Sequence, residues 1–388
     1  MPGIDTMGAS VRDRTDLLVV GAGPYAYAAA ACARESGIET RVVGRPMSFW
    51  REQMPADMYL RSSTDWHLDA NAEHTFAAYV EEKGHDPADL DPVPIAVFLD
   101  YTDWFADRKR LDVDTRLVDR LTARDAGGFV AQMADGSTIE AEKVLAAPGI
   151  RTFAHHPDWH TAVPAERRSH TSELVSFDEL AGARVVVVGG RQSAYEWAAL
   201  LCDHGAARVD VVHRHATPSF DRVSWAFADA YVEQTLAHRG WWRSLPADRQ
   251  KTVAAEFWQV GRLTLEHWIA PRLRPEVVTS RPGTEVTDVG PGDDAVRLRL
   301  SDGESLEADH VVFASGYRAD LATVPYLEPL LDRVSVTDGF PDLSEGFETT
   351  LPGLFVTGFA STRDFGPFYG FTKGCPSAAK IVVDEMMR

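Results

Sequence analysis

The apolar residues near the start of the chain come in unbroken blocks that stop at glycines. Asp16 to Val20 (DLLVV) is one such run, the pattern of a strand buried on both faces. Residues 24–36 (PYAYAAAACARES) are alanine-rich and helix-compatible, with Gly37 placed as the C-terminal cap. Thr40 to Val43 (TRVV) supplies the next strand. Strand, glycine turn, helix and strand make a βαβ unit. The same order returns at Ala183 to Val188 (ARVVVV), Gly189-Gly190, a helix from Ser193 to Cys202, Gly205 as its stop, and Arg208 to Val212 (RVDVV). Two such units in one chain predict two nucleotide-binding domains.

Alternating patterns lie between and after them. Phe129 to Met133 and Ile139 to Glu142 flank a DGS turn; Ala295 to Leu300 and Ser305 to Glu307 flank SDG. Asp-Gly between alternating runs is hairpin chemistry. Each pair leads into an apolar strand ending in small residues, KVLAAPG at 143–149 and HVVFASG at 310–316. Residues 217–274 read differently, as mostly helical and carrying Trp225, Trp241, Trp242, Trp258 and Trp268. They are expected to form a helical insertion or lid, although such tryptophans equally fit a core. The expected fold is α/β: two Rossmann-like dinucleotide-binding domains with a helical insertion. The first domain takes 1–147 and 310–388, the second 148–216 and 275–309, and the insertion 217–274.

The glycine turns carry the chemistry. Gly21-Ala22-Gly23-Pro24-Tyr25-Ala26 is GxGxxA, directly after a strand and before a helix. The first glycine permits the tight turn, the second lets backbone approach a pyrophosphate, and the small third residue lets helix pack on strand. The phosphates sit on the helix N-terminus, where free N–H groups and the dipole favour anions. The acidic residue that would hold the ribose falls near Gly44-Arg45 and is missing. Gly189-Gly190-Arg191-Gln192-Ser193-Ala194 repeats the design with Arg191 in the second-glycine position. Its guanidinium either obstructs a pyrophosphate or folds outward to pair with one. The next strand ends in His213-Arg214-His215. Arg214 suits the 2′-phosphate of NADP better than the hydroxyl of NAD, or is a plain surface charge.

Composition narrows the function. Lys+Arg number 39 against 58 Asp+Glu, for a net charge of −19. Such a surface repels phosphate backbones and anionic bilayers, which argues against nucleic-acid and membrane partners. Cys32, Cys202 and Cys375 lie far apart with no CxxC, so dithiol exchange is excluded and a reducing, cytoplasmic setting is expected. No apolar run reaches the roughly 18 residues of a membrane span. Residues 1–16 lack the apolar core of a secretion signal and read as a loose tail. His155, His156 and His160 have no carboxylate or cysteine to complete a ligand set, so no metal is expected.

These pieces together resemble the two-dinucleotide-binding-domain flavoproteins, and within them the class B flavin monooxygenases, which include flavin-containing monooxygenases and ornithine or lysine N-hydroxylases. The resemblance rests on GAGPYA at 21–26, FW at 49–50 with MYLRS at 58–62, GGRQSAYE at 189–196, FASGYR at 313–318, and PGLFVTGFASTRDFGPFYGF at 352–371. It covers about half the chain. It implies FAD on the first unit and NADPH on the second. Gly21, Gly23, Pro24, Tyr25 and Ala26 would face the FAD pyrophosphate. Trp50, Met58, Leu60 and Arg61 would lie beside the flavin, and Gly358, Phe359, Pro367, Phe368 and Phe371 would close over it. Gly189, Gly190, Arg191, Gln192, Ser193, Ala194 and Arg214 would hold NADPH. The strand ends at 145–149 and 313–318, with Ser315, Gly316 and Tyr317, would be paired linkers between the domains.

The implied activity is an NADPH-consuming monooxygenase that passes one oxygen of O2, through a C4a-peroxyflavin, to a small molecule such as an amine. The FxGxxxH fingerprint of that group is matched only at His170, with Pro164 and Glu166 in the places of Phe and Gly. An FAD-dependent dehydrogenase, reductase or oxidase, and a non-catalytic flavin redox sensor, therefore stay open, as does assembly into a homo-oligomer. Just past the flavin stretch, Arg61 is a candidate for binding a substrate carboxylate and His67 for acid–base work near neutral pH. The alternative is an ordinary polar loop.

Overall fold

The computed structural model describes residues 13–292 and 294–388. Asp13–Val20 lies inside a seven-stranded sheet, parallel to Thr40–Val43 on one side and to Thr138–Ala146 on the other. Leu17, Leu18 and Val19 are fully buried, which is why this run is apolar on both faces. Val113–Asp114 extends one edge, and Val118–Ala123 with Phe129–Met133 adds an antiparallel extension on the other side. Leu354–Val356 returns from the C-terminus to pair in parallel with Val144 to Ala146. The expected tail is shorter than sequence suggested. The first strand already begins at Asp13, paired with Ile139, and buried Thr15 donates its hydroxyl to Glu39 O at 2.8 Å. Residues 1–12 of that tail lie outside the described residues.

The second sheet has five strands, all parallel, in the order Val278–Pro282, Arg208–His213, Arg184–Val188, His310–Phe313 and Arg168–His170. This corrects the boundary expected at residue 310. His310–Phe313 belongs to the second domain, because Val311, Val312 and Phe313 are fully buried between two strands of its sheet. The chain crosses back only after them. The helix Gln192–Asp203 packs one apolar cluster of this domain, with Trp197, Leu200 and Leu201 buried against Val185, Val187 and Val209. A three-stranded antiparallel sheet, Val286–Pro291, Val296–Leu300 and Ser305–Ala308, packs another against Val186 and Val212.

Residues 217–274 hold the helices Asp229–Ala237, Trp241–Ser244 and Ala247–Arg262, with short parallel strands Ser219–Asp221 and Thr264–Glu266 at the two ends. They do not form a free-standing lid. Trp225, Trp242, Val253 and Phe257 are buried in the same apolar cluster as the first sheet. Phe368 meets Tyr231, Trp241 and Trp242 with ring centroids at 5.8, 6.4 and 6.0 Å. Phe371 meets Trp225 at 5.0 Å and Phe257 at 5.3 Å. Aromatic pairs at these spacings add cohesion beyond area burial, so the insertion is docked on the C-terminal segment.

The two sheets share one steric device. Gly21 has φ +118°, and a methyl group built on it would lie 2.2 Å from Ala147 O. Gly189 has φ +139°, and its methyl would lie 2.3 Å from Ala314 O. At Gly23, by contrast, a methyl meets nothing within 4 Å. Gly21→Ala should therefore destabilise the fold by about 2 kcal/mol or more, while Gly23→Ala should stay within roughly 1 kcal/mol of the native protein. Urea denaturation of both variants checks the contrast, and equal midpoints would mean the first turn is not constrained in this way.

Candidate active site

The first glycine turn is built as an anion seat. Gly23 caps the helix Pro24–Glu35 in an extended conformation, and no side chain bonds to the helix N-terminus. The space beyond Gly23 is open, so the first-turn amides face room for a pyrophosphate. Gly44 stands in the place of the missing ribose acid. Its φ is +139°, and a methyl there would lie 3.3 Å from Ala22 N, so the strand end is pressed against the turn itself. Arg45 beside it pairs with Glu52 at 3.0 Å.

The C-terminal segment crosses this turn. The Tyr25 hydroxyl donates to the carbonyls of Tyr369 and Phe371, the latter at 2.9 Å. Gly358 has φ +81°, and a methyl on it would touch the Tyr25 ring at 3.6 Å. Thr357 Oγ1, between strand and segment, is buried without a partner. Open helix amides, a close-packed second segment and an orphaned hydroxyl fit a long dinucleotide such as FAD at this turn. Phe359 leans on Phe153 at 6.1 Å. Phe368, expected over the flavin, is turned instead into the aromatic core of the insertion, and Pro367 starts the short turn that carries it. Trp50 packs on Phe98 at 4.7 Å, and Leu60 is in the core. The Met58 carbonyl accepts from Ile95 N, and Met58 itself lines a cleft of about 560 Å³ with Tyr59, Leu200 and Trp268. That cleft contains no glycine-turn residue and is not the nucleotide seat.

At the second turn, Gly190 carries no side chain because His213 sits where its Cβ would be, at 2.3 Å. Arg191 caps the helix Gln192–Asp203, and its guanidinium is turned out of the turn onto the Trp258 indole, 3.8 Å from the ring centroid. Of the two orientations open in the sequence, the outward one is adopted. Burial lowers its pKa, and Arg214 nearby adds to this. Arg214 and Ser193 are exposed, Ala194 is in the core, and Arg214 has no acid partner among the described residues. Two arginines beside a helix N-terminus to which no side chain bonds fit a phosphorylated dinucleotide.

The paired linkers run side by side. Ala154 and Tyr317 form an antiparallel bridge, His155 N donates to Gly316 O at 2.9 Å, and Ser315 Oγ donates to His155 O. His170 ends the outer strand of the second sheet and reaches Gly316 O through Nε2 at 3.1 Å. Burial pulls its pKa down to about 4, so it is neutral and serves as a clasp on the crossing.

Arg61 is placed differently from expectation. Its Nε donates to Glu266 at 3.0 Å, and its other nitrogens donate to Gly261 O at 2.6 Å and Thr264 O at 2.8 Å. The pair is buried, with side-chain exposures of 16% and 3%. Arg61 is thus not free for a substrate carboxylate; it ties the insertion to the first domain. His67 stands apart from it. Its Nδ1 is buried without a partner, burial lowers its pKa, and the charges acting on it are Asp69, Lys380 and Lys373.

Gln192 and Glu196 join this centre. Gln192 Oε1 accepts from Glu266 N at 3.2 Å, and Glu196, one turn along the same helix, is buried with Oε1 unpartnered. Burial raises the Glu196 pKa to about 7, against the pull of Arg61 and the Tyr59 N–H. Glu196 was within reach of sequence reading, since it is spaced i, i+4 from Gln192 inside GGRQSAYE. Glu266 and Arg262 were not, because nothing periodic marks them. A carboxyl with a raised pKa stabilises the fold below its unfolded value of 4.5 and loses that contribution as pH rises through about 7. The loss amounts to about 3 kcal/mol at most. Glu196→Gln should therefore gain stability relative to the native protein between pH 4.5 and pH 8, read from melting temperatures across that range. A difference that stays flat with pH would show Glu196 to be charged throughout.

Residues 18–238 match the family model described as pyridine nucleotide-disulphide oxidoreductase. The chain is 28% identical over 346 residues to an FAD-dependent urate hydroxylase of Xanthomonas campestris pv. campestris, covering 76% of this chain and 68% of that protein. It is 26% identical over 330 residues to indole-3-pyruvate monooxygenase YUCCA1 of Oryza sativa subsp. japonica, covering 78% and 77%. Its fold superimposes on an ornithine N-hydroxylase of Kutzneria sp. 744 with a TM-score of 0.78 at 16% identity, over 97% of this chain and 99% of that one. Cys32, Cys202 and Cys375 are buried and unpaired, so the disulphide chemistry in the family description has no counterpart here. With both glycine turns, their crossing linkers and the returning C-terminal segment in one architecture, the chain belongs to the pyridine nucleotide-disulphide oxidoreductase family.

Proposed function

We propose that the protein is an FAD-dependent, NADPH-consuming monooxygenase acting on a small molecule, an amine among the candidates. The observation that carries the reading is the first turn: an open anion seat at Gly23, crossed by Gly358 to Phe371 and roofed by the aromatic insertion. In this reading residues 1–147 and 314–388 hold FAD, 148–216 and 275–313 hold NADPH, and 217–274 form the roof. Gly21, Gly23 and the Tyr25 and Ala26 amides seat the FAD pyrophosphate, with Pro24 opening the helix, and Tyr25 fixes the covering segment. Gly189, Ser193 and Arg191 seat the NADPH pyrophosphate, and Arg214 meets its 2′-phosphate. FAD, when bound, supplies hydride acceptance from NADPH and oxygen transfer from O2. The chain's own contribution is to position both nucleotides and to exclude water through Trp225, Phe257 and Phe371. The relatives that hydroxylate urate or oxygenate indole-3-pyruvate support oxygen transfer over simple electron transfer. No helix among the described residues is long and apolar enough to cross a membrane. The cytoplasm, where NADPH and free thiols coexist, is the compartment this reading implies.

Rapid mixing tests it directly. NADPH should bleach the flavin of the purified protein, and reoxidation by O2 with substrate present should yield oxygenated product with little H2O2. Stoichiometric H2O2 under every condition would replace the monooxygenase by an oxidase. Nucleotide preference gives a second check. A charge-assisted contact to phosphate is worth about 1.5–3 kcal/mol, or about 10- to 150-fold in affinity. Arg214→Ala should raise the KM for NADPH by that factor and leave NADH nearly unchanged. Equal effects on both nucleotides would remove Arg214 from the 2′-phosphate.

A further inference from the structure

Arg262 ends the helix Ala247–Arg262, and its Nε is buried without an acceptor. No hydrogen bond or ion pair reaches its guanidinium among the described residues. It lies 4.9 Å from the Phe371 ring centroid and 5.9 Å from that of Phe257. Trp225 packs on the same two rings, at 5.0 and 5.7 Å, and its Nε1 is likewise buried without an acceptor. Guanidinium and indole N–H groups only donate. Two orphaned donors on one pair of phenyl rings call for a ligand rich in acceptors.

The surrounding charges say that this ligand is an anion. Burial, then Arg191 and Arg61, pull the Arg262 pKa down to about 10. Of the acids nearby, Glu266 is taken by Arg61, and burial raises the Glu196 pKa to about 7, which cuts its negative charge at neutral pH. The result is a cluster of cationic groups in a chain of net charge −19, and its partly buried setting strengthens their field on an incoming anion. The nucleotide phosphates already have their own partners, in two helix N-termini, Arg191 and Arg214. Arg262 and Trp225 lie instead on the insertion, against Phe371 of the covering segment.

We infer that Arg262 and Trp225 form a seat for a carboxylate of the substrate, so the enzyme takes a small organic or amino acid; this rests on the function proposed above. The test is a binding titration of the FAD-loaded protein, followed by the change in flavin absorbance and run without NADPH. Matched probes are used: L-lysine against cadaverine, L-ornithine against putrescine, indole-3-acetate against indole-3-acetamide, and benzoate against benzamide. At least one carboxylate should bind about 10-fold or more tightly than its carboxylate-free twin, with the two amide pairs free of any change in ammonium charge. Arg262→Gln should weaken that carboxylate by about 10- to 100-fold and leave the twin unchanged. Arg262→Lys should recover part of the loss, and Trp225→Phe, which removes the N–H while keeping an aromatic ring, should show a smaller one. NADPH affinity and the flavin midpoint potential should not move in the two Arg262 variants. The inference is overturned if no carboxylate outbinds its twin, or if Arg262→Gln leaves the preference intact. It is also overturned if the variant weakens NADPH alone, which makes the anion a cofactor phosphate, or shifts only the potential, which makes the acceptor the flavin. Failure of the monooxygenase reading would appear separately, as H2O2 release with normal carboxylate binding.

Discussion

The structure depends on a contact repeated in both sheets, where a strand end meets the chain leaving the neighbouring strand. At Gly21 and Ala147, and again at Gly189 and Ala314, backbone passes backbone so closely that no side chain fits. In each case the crowding carbonyl belongs to a linker that carries the chain from one domain to the other. One steric requirement therefore fixes the glycine turn, the position of the helix N-terminus beyond it, and the path of the crossing. The linkers are then fastened to each other through Ala154, His155, Gly316 and Tyr317, with neutral His170 closing the clasp.

The insertion is coupled to this frame by two kinds of force. Aromatic packing of Trp225, Trp242 and Phe257 against Phe368 and Phe371 supplies apolar cohesion. The buried Arg61–Glu266 pair, with the carbonyls of Gly261 and Thr264, supplies register. A buried ion pair is a weak source of net stability because desolvation offsets its attraction. Three directional bonds from one guanidinium fixed on the first domain do set where the last turn of Ala247–Arg262 sits. That placement brings Trp258 under Arg191 and Arg262 beside Phe371.

The irregularities of the nicotinamide half have physical explanations in the packing. Arg191 can replace a glycine because the insertion offers an indole face for its guanidinium, which removes the side chain from the turn. His170 keeps its place without the rest of the FxGxxxH fingerprint because its contacts are to Ser172 and the Gly316 carbonyl, both local to the crossing. Where a ribose acid would stand, Gly44 has φ +139° and a Cβ would lie 3.3 Å from Ala22 N, so a side chain at that strand end is strained.

Sequence by itself determined the local parts. Unbroken apolar runs gave both central strands, alanine and apolar content with glycine stops gave both helices, and Asp-Gly pairs gave both hairpins, since each depends on residues a few positions apart. The glycine turns were legible for the same reason, as was the FAD- and NADPH-type architecture they imply. What the tertiary structure decided were partners distant in sequence. The strand His310–Phe313 reads the same in either domain, and only its buried position between Arg184–Val188 and Arg168–His170 assigns it to the second sheet. Arg61 reads as a free ligand for a carboxylate until Glu266, 205 residues away, takes it. Phe368 reads as a flavin cover until three aromatics of the insertion surround it. Arg262 carries no local signal, because its significance is the absence of a partner, and a missing contact exists only where everything around it has been placed.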